Sequence, residues 1–260
     1  MITSVHHDKV KYLRSLSDRK QRQSEGRFVI EGARLIDDAL AAHCQPDWIF
    51  CAQRLLPRAN ETVQRLRARN IEVIDVSDAV LKACIETETS QGLIGVIQQP
   101  QWPWPNEPRL IVIADRLRDP GNLGTLLRSS AAAGVSGVLL APETVDAFNS
   151  KVVRGAMGAH FRLPILTADW AAITDRVQGM NVYVAEADES RPYTSIDWTC
   201  PSVLIVGGEA EGTSGAAAKL ATARISIPLA REVESLNVGV AASIIMFEAK
   251  RQQEHQTNRS

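Results

Sequence analysis

Residues 225–251 read ISIPLAREVESLNVGVAASIIMFEAKR, and this stretch decides the fold. Ile225 to Ile227 predict a short apolar strand. Pro228 stops it, because proline has no amide hydrogen to give a sheet. A polar loop follows from Ala230 to Glu234. Ser235 then predicts a helix start, since its hydroxyl can accept from an orphan backbone amide. Val238, Ala241, Ala242, Ile245 and Met246 repeat at helical spacing. Lys250 and Arg251 fall in the last turn, where cations suit the helix dipole. Ala241, Ala242 and Ser243 give the helix a small-residue surface that lets another backbone approach closely. Two polar residues, Ser235 and Asn237, flank Leu236 where strand passes to helix, a place suited to anions and polar ligands.

Working outward, the same strand-then-helix alternation extends back to Arg109. Residues 110–114, 135–140, 161–165, 181–185 and 203–206 read as strands. Residues 122–133, 150–158, 169–178 and 214–220 read as helices. Such alternation predicts a parallel sheet covered on both faces, and the apolar runs LIVIA and VLIV suit strands buried on both sides. Before it stands QPQWPWPNEP, residues 99–108, whose four prolines predict an extended linker. Residues 25–99 predict a smaller α/β unit. Its strands are 28–30, 48–51, 72–76 and 92–98, and its helices are 32–42, 61–69 and 78–84. Residues 1–24 are polar and basic, with Val10, Leu13 and Leu16 at weak helical spacing. Lys9 and Lys11 there are candidate RNA-phosphate contacts.

The chain has 260 residues, 45% hydrophobic, with a formal net charge of −1. That length allows one large domain or two ordinary ones. Any basic surface must therefore be local. The four cysteines stand apart without a CxxC, and no signal peptide is read; both suit a reducing, cytoplasmic setting. The histidines show no metal-ligand spacing, so no metal site is expected. No run reaches the roughly 20 apolar residues of a membrane span.

Three loop segments carry chemistry. DPGNLGTLLR, residues 119–128, lies between strand and helix. Pro120 and Gly121 make the turn, Asn122 is a candidate cap, and Arg128 follows about 9 Å further along a helix at about 1.5 Å per residue. VGGEAEG, residues 206–212, follows a buried strand, and its paired glycines let a backbone approach a ligand closely. The spacing is not GxGxxG, which disfavours a dinucleotide oxidoreductase. SLN, residues 235–237, is the third. Each sits at the C-terminal end of a strand, where open α/β sheets bind ligands.

DPGNLGTLLRSSAAAG, VGGEAEG and IPLAREVESLNVGVAASI resemble, in that order, the three motifs of the SpoU (TrmH) family of RNA ribose 2′-O-methyltransferases, within the SPOUT superfamily. EGRFVIEGARLI and ETETSQGLIGVI are similar to the family's N-terminal substrate-binding domain, which has the small α/β fold of certain ribosomal RNA-binding proteins. The resemblance implies an RNA substrate-binding domain at 1–99, a linker at 100–108 and a SPOUT methyltransferase domain with a deep trefoil knot at 109–255. It implies S-adenosylmethionine as cofactor, held by Val206, Gly207, Gly208, Ile227, Leu229 and Leu236. Asn122, Arg128, Glu209, Ser235 and Asn237 match the catalytic set. Arg154, in NSKVVRGAMGAHF, matches a residue at the RNA end of the site. Ser130 and Ala156 depart from the usual Ala and Ser. The implied substrate is RNA, first of all large-subunit ribosomal RNA (23S). Transfer RNA, or RNA binding without catalysis, is the alternative. The implied assembly is a cytoplasmic homodimer built from the C-terminal domains.

Overall fold

The computed structural model describes residues 1–86, 90–186, 191–208, 212–230 and 233–257. The chain divides into two compact units. One comprises Met1–Pro100 and Phe148–Phe161; the other comprises Gln101–Ala147 and Arg162–Ser260.

The first unit opens with two helices where the sequence predicted one, α1 (Asp8–Ser15) and α2 (Arg19–Glu25). The side chain of Asp18 caps α2 by accepting from the Lys20 and Gln21 amides, so the chain restarts a helix after a turn. Val10, Leu13 and Leu16 are buried. Buried Arg22 donates to the Leu16 and Ser17 carbonyls at 2.8 and 2.7 Å, which makes it a structural residue. Then come β1 (Arg27–Glu31), α3 (Ala33–Ala41), β2 (Pro46–Ala52), α4 (Pro57–Ala68), β3 (Glu72–Val76), α5 (Asp78–Cys84) and β4 (Leu93–Gln98). The strands form a four-stranded sheet in the order β1-β4-β2-β3, with β2 and β3 parallel and the other pairs antiparallel. The two anchors of the N-terminal resemblance meet here. Helix α3 has no cap from its own Gly32, and the Gln91 side chain supplies one, its Oε1 accepting from the Ala33 amide at 3.0 Å.

The second part of the chain runs β5 (Leu110–Asp115), α6 (Pro120–Ala133), β6 (Gly137–Leu140), α7 (Ser150–Ala156), β7 (Ile165–Thr167), α8 (Trp170–Arg176), β8 (Asn181–Ala185), β9 (Arg191–Pro192), β10 (Ser202–Gly207), α9 (Gly215–Leu220), β11 (Ala223–Ser226) and α10 (Val238–Thr257). Among the described residues the strands form one seven-stranded sheet, ordered β7-β6-β5-β10-β8-β11-β9. Every pairing is parallel, as the alternation predicted. β5 and β10 lie side by side in the middle, so the loops that follow them open at the same edge.

One expectation needs correction here. Residues 161–165 are not a strand. Ala159–Phe161 form a 3-10 turn and the strand begins at Ile165, because Phe161 is spent on the first unit's core. Helix α7 and that turn pack in the first unit, with Val153 and Phe161 buried in one apolar cluster with Phe28, Leu35 and Ile36. Phe28 also meets the ring of Phe148 at 5.0 Å. In the linker, Trp104 packs on the second unit. A Cβ added at Gly137 would lie 2.8 Å from its ring, and Arg176 sits 5.9 Å over its face.

Candidate active site

The site grows from three loops at the C-terminal edge of β5, β10 and β11. The first is fixed by Asp119, which caps α6 by accepting from the Asn122 amide at 2.8 Å. Asn122 is thus not the cap, and its side chain is released for other use. The start of α10 is corrected in the same way. The cap is Asn237, whose Oδ1 accepts from the Gly239 and Val240 amides at 3.0 and 3.3 Å, and the helix begins at Val238 rather than after Ser235. With Oδ1 so engaged, the Asn237 amide group turns outward and donates to Asn122 Oδ1 at 2.7 Å. Two residues far apart in the chain are joined by one short bond.

That bond is supported by the packing of α10 along α6. A Cβ on Gly239 would lie 2.9 Å from Thr125, so only glycine allows this approach. One turn on, Ser243 bonds the Ser129 hydroxyl at 2.6 Å, and Lys250 Nζ donates to the Ala132 carbonyl. Ala242, Ile245, Met246 and Ala249 are buried. The small-residue surface read from the sequence thus serves the approach of one helix to another.

The second loop is held from beneath. Asp115 is fully buried at the end of β5, opposite Gly207 in the register. Its Oδ2 accepts from the Ser214 amide at 2.5 Å, and Arg116 donates to the Gly212 carbonyl. A Cβ on Gly207 would lie 2.5 Å from Gly212, and one on Gly208 would lie 2.6 Å from the Arg116 carbonyl. These glycines therefore admit the protein's own backbone. Asp115 was missed from sequence, although a carboxylate ending an apolar run is a visible signal.

Between the second and third loops lies a cavity of about 430 Å³. Val206, Gly207, Gly208, Ile227, Leu229 and Leu236 all line it, as does Ser235. Val238, Ala241 and Ile245 of α10 add apolar wall, and Glu186 and Arg224 add charge. The lining of apolar side chains and glycine-rich backbone suits a flat, partly apolar ligand with hydrogen-bonding edges. Asn122 and Asn237 stand beside it, since Asn237 is flanked by the lining residues Leu236 and Val238. Arg128 is exposed on α6 and bonds no described residue, so it is not drawn to the two asparagines. Glu209 lies outside the described residues.

The proposed RNA contacts lie in the first unit. Arg154 Nη1 reaches Glu86 at 3.3 Å, and Glu86 also accepts from the Ser150 hydroxyl at 2.6 Å. The Ser150 hydrogen bond, with Arg154 behind it, holds the Glu86 carboxyl below its usual range. Lys9 pairs with Glu72 and lies 5.4 Å over the Trp48 ring, and Lys11 pairs with Asp8 at 3.6 Å. Burial pushes the Cys84 thiol up to about 11, too high for a nucleophile at neutral pH. Among the described residues no cluster of His, Cys, Asp and Glu could hold a metal, and no helix is long and apolar enough to cross a membrane.

Comparison with known proteins agrees with this geometry. The profile of the SpoU rRNA Methylase family matches residues 109–247, and that of the MRM3-like substrate binding domain matches residues 7–95. The chain belongs to the SpoU rRNA methylase family. It is 32% identical to the 23S rRNA (guanosine(2553)-2′-O)-methyltransferase RlmP of Bacillus subtilis, over 95% of this chain and 97% of that one. An AdoMet-bound rRNA methyltransferase from Sinorhizobium meliloti superposes with a TM-score of 0.84 at 32% identity, covering 96% and 97% of the two chains. The SpoU methyltransferase AviRb from Streptomyces viridochromogenes, in complex with AdoMet, gives 0.86 at 27% identity, covering 96% and 99%.

Proposed function

We propose that this protein transfers a methyl group from S-adenosylmethionine to a ribose 2′-hydroxyl of large-subunit ribosomal RNA. The observation that carries the reading is the joining of Asn122 to Asn237 at the rim of a cavity lined by all six residues expected to hold the cofactor. Two AdoMet-bound structures of similar fold and a relative that methylates a 23S ribose support it.

When bound, the cofactor supplies an electrophilic methyl on a sulfonium. The glycine-rich loop at Gly207 and the peptide groups at Ile227, Leu229 and Leu236 bind its adenosine part. Asn122 and Asn237, locked to one another, orient the ribose so that its 2′-oxygen faces the methyl in line. Ser235 adds a hydroxyl on the same side. Arg128 grips the adjoining RNA phosphate. It does not act as the base by losing its own proton, because a guanidinium is charged at any working pH. With the cofactor held there, its C–S bond would break as the ribose O–C bond forms, S-adenosylhomocysteine would be the leaving group, and the 2′-hydroxyl proton would pass to solvent water. Residues 1–99, with Arg154, Lys9 and Lys11, bind RNA, and 109–255 carry the transfer. The loops after β10 and β11 are read as those of a trefoil knot.

The protein works in the cytoplasm as a homodimer of its C-terminal domains. Val240, Ile244 and Phe247 recur along one side of α10 and are 44%, 36% and 46% exposed, while the opposite side is buried on α6. A helix apolar on two sides needs a second cover. Both Ile244→Asp and Phe247→Asp are expected to shift the sedimenting mass from two chains to one. A wild type that sediments as one chain with full activity disproves the dimer.

The test of the activity is direct. Purified protein, S-adenosylmethionine and unmodified ribosomal RNA are incubated, and 2′-O-methyl nucleotides are mapped by mass spectrometry. A new ribose methyl in the large-subunit RNA is expected. Methylation of a base, or of transfer RNA alone, refutes the assignment.

A further inference from the structure

Two charged side chains stand at the mouth of the cavity. Glu186 directly follows β8, and Arg224 lies in the neighbouring β11. Among the described lining residues they carry the only formal charges. Arg224 Nη1 lies 3.3 Å from Glu186 Oε2, with side-chain exposures of 61% and 22%, so the guanidinium is at the open rim and the carboxylate is deeper. The sheet holds both in place. Glu186 donates its amide to the Ile225 carbonyl at 2.9 Å, and Arg224 stands opposite Val184 in the register. An apolar, glycine-edged space accommodates a purine, but it gives a zwitterion nothing, and burying unpaired charge is costly. A carboxylate beside a guanidinium matches an ammonium beside a carboxylate through charge-assisted bonds. A half-exposed ion pair is itself weakly held, so exchanging it for a ligand's own charges forfeits little.

We propose that Glu186 and Arg224 form the subsite for the amino-acid end of the cofactor. The ligand's ammonium is set against Glu186 and its carboxylate against Arg224. This rests on the S-adenosylmethionine reading above. None of the three sequence motifs contains either residue.

Calorimetry on the full-length protein tests it with three probes. They are S-adenosylmethionine, S-adenosylhomocysteine and 5′-methylthioadenosine, which keeps the purine, ribose and sulfur but lacks the amino-acid end. Glu186→Gln and Arg224→Ala are each expected to weaken S-adenosylhomocysteine about tenfold or more, as loss of a hydrogen bond to a charged group does. Methylthioadenosine should change less than about twofold, and Arg224→Lys should recover part of the loss. Equal losses for both probes, or none, overturn the subsite. Neither side chain is fully buried, so the unliganded variants should melt within a few degrees of the wild type. If Arg224→Ala fails to fold, the isosteric Glu186→Gln decides alone. A wild type that binds neither S-adenosylmethionine nor S-adenosylhomocysteine brings down the cofactor reading and the subsite with it. Wild-type binding of both, with variants that discriminate S-adenosylhomocysteine from methylthioadenosine as well as the wild type does, brings down the subsite only.

Discussion

Arg128 and Arg154 are both arginines on helices, both matched to an RNA-handling role, and their surroundings are opposite. Arg128 on α6 bonds no described residue. Arg154 on α7 is held by Glu86, which Ser150 holds in turn. A phosphate arriving at Arg128 displaces no bond from a described residue. One arriving at Arg154 must displace a carboxylate that already occupies an anion's place. The same residue type thus offers different strengths of contact. On the proposed reading, the arginine with no bond to a described residue is the one at the reacting centre, and the one paired with Glu86 belongs to adjustable RNA binding.

The comparison is sharpened first at Arg128. Arg128→Ala is expected to lower single-turnover methyl transfer by about 100-fold or more, the usual cost of one positioned transition-state contact. Calorimetric affinity for S-adenosylmethionine should be unchanged. Near-normal turnover would break the contrast at its stronger end. Asn237→Asp comes next. The carboxylate still caps α10 through its oxygen, but it no longer donates to Asn122. Activity is expected to fall about tenfold or more with the melting temperature almost unchanged, whereas Asn237→Ala should also lose about 1 kcal/mol of cap stability. If the Asp variant is as active as wild type, the Asn122–Asn237 bond is not functional.

The smallest effects belong to Arg154. Glu86→Gln is expected to tighten RNA binding a few-fold and Arg154→Ala to weaken it a few-fold, and Glu86→Gln should lose most of its effect when Arg154 is alanine. Half-exposed pairs contribute only about 0–1 kcal/mol. The Glu86 carboxyl is held low, so the pair contributes stability above the ordinary glutamate range and loses it as pH falls through the lowered value. The Glu86→Gln advantage should therefore be flat from neutral pH down through the ordinary glutamate range and fade only below it. Filter binding across that range checks this. An advantage that persists without Arg154 assigns Glu86 a general charge effect.

Much of this could be read before any coordinates. The parallel alternation follows from apolar runs such as LIVIA, and the loop residues around the cavity follow from motif order. The failures come from competition between good candidates, settled in some places by distant partners and in one by a near neighbour. Ser235 and Asn237 are both good caps by type. Asn237 prevails where its remaining amide can donate to Asn122, 115 positions away. Asn122 is also a good cap by type, but Asp119, three residues earlier, fills that role by local geometry alone. Glu186 and Arg224 meet only because β8 and β11 pair, and no linear spacing announces that.

Helix α7 and the turn after it carry a consequence for how the protein is made. The first unit's core includes Val153 and Phe161, which lie well downstream of Pro100. On a ribosome, that unit cannot close when its first hundred residues emerge. It must wait several more seconds, at about 5–20 residues per second, while β5, α6 and β6 are synthesised. During that interval the side of Phe28 that Phe148 and Phe161 will cover stays open. The chain is therefore not two beads made in succession. Cutting it at the proline linker would leave the first bead without its last piece.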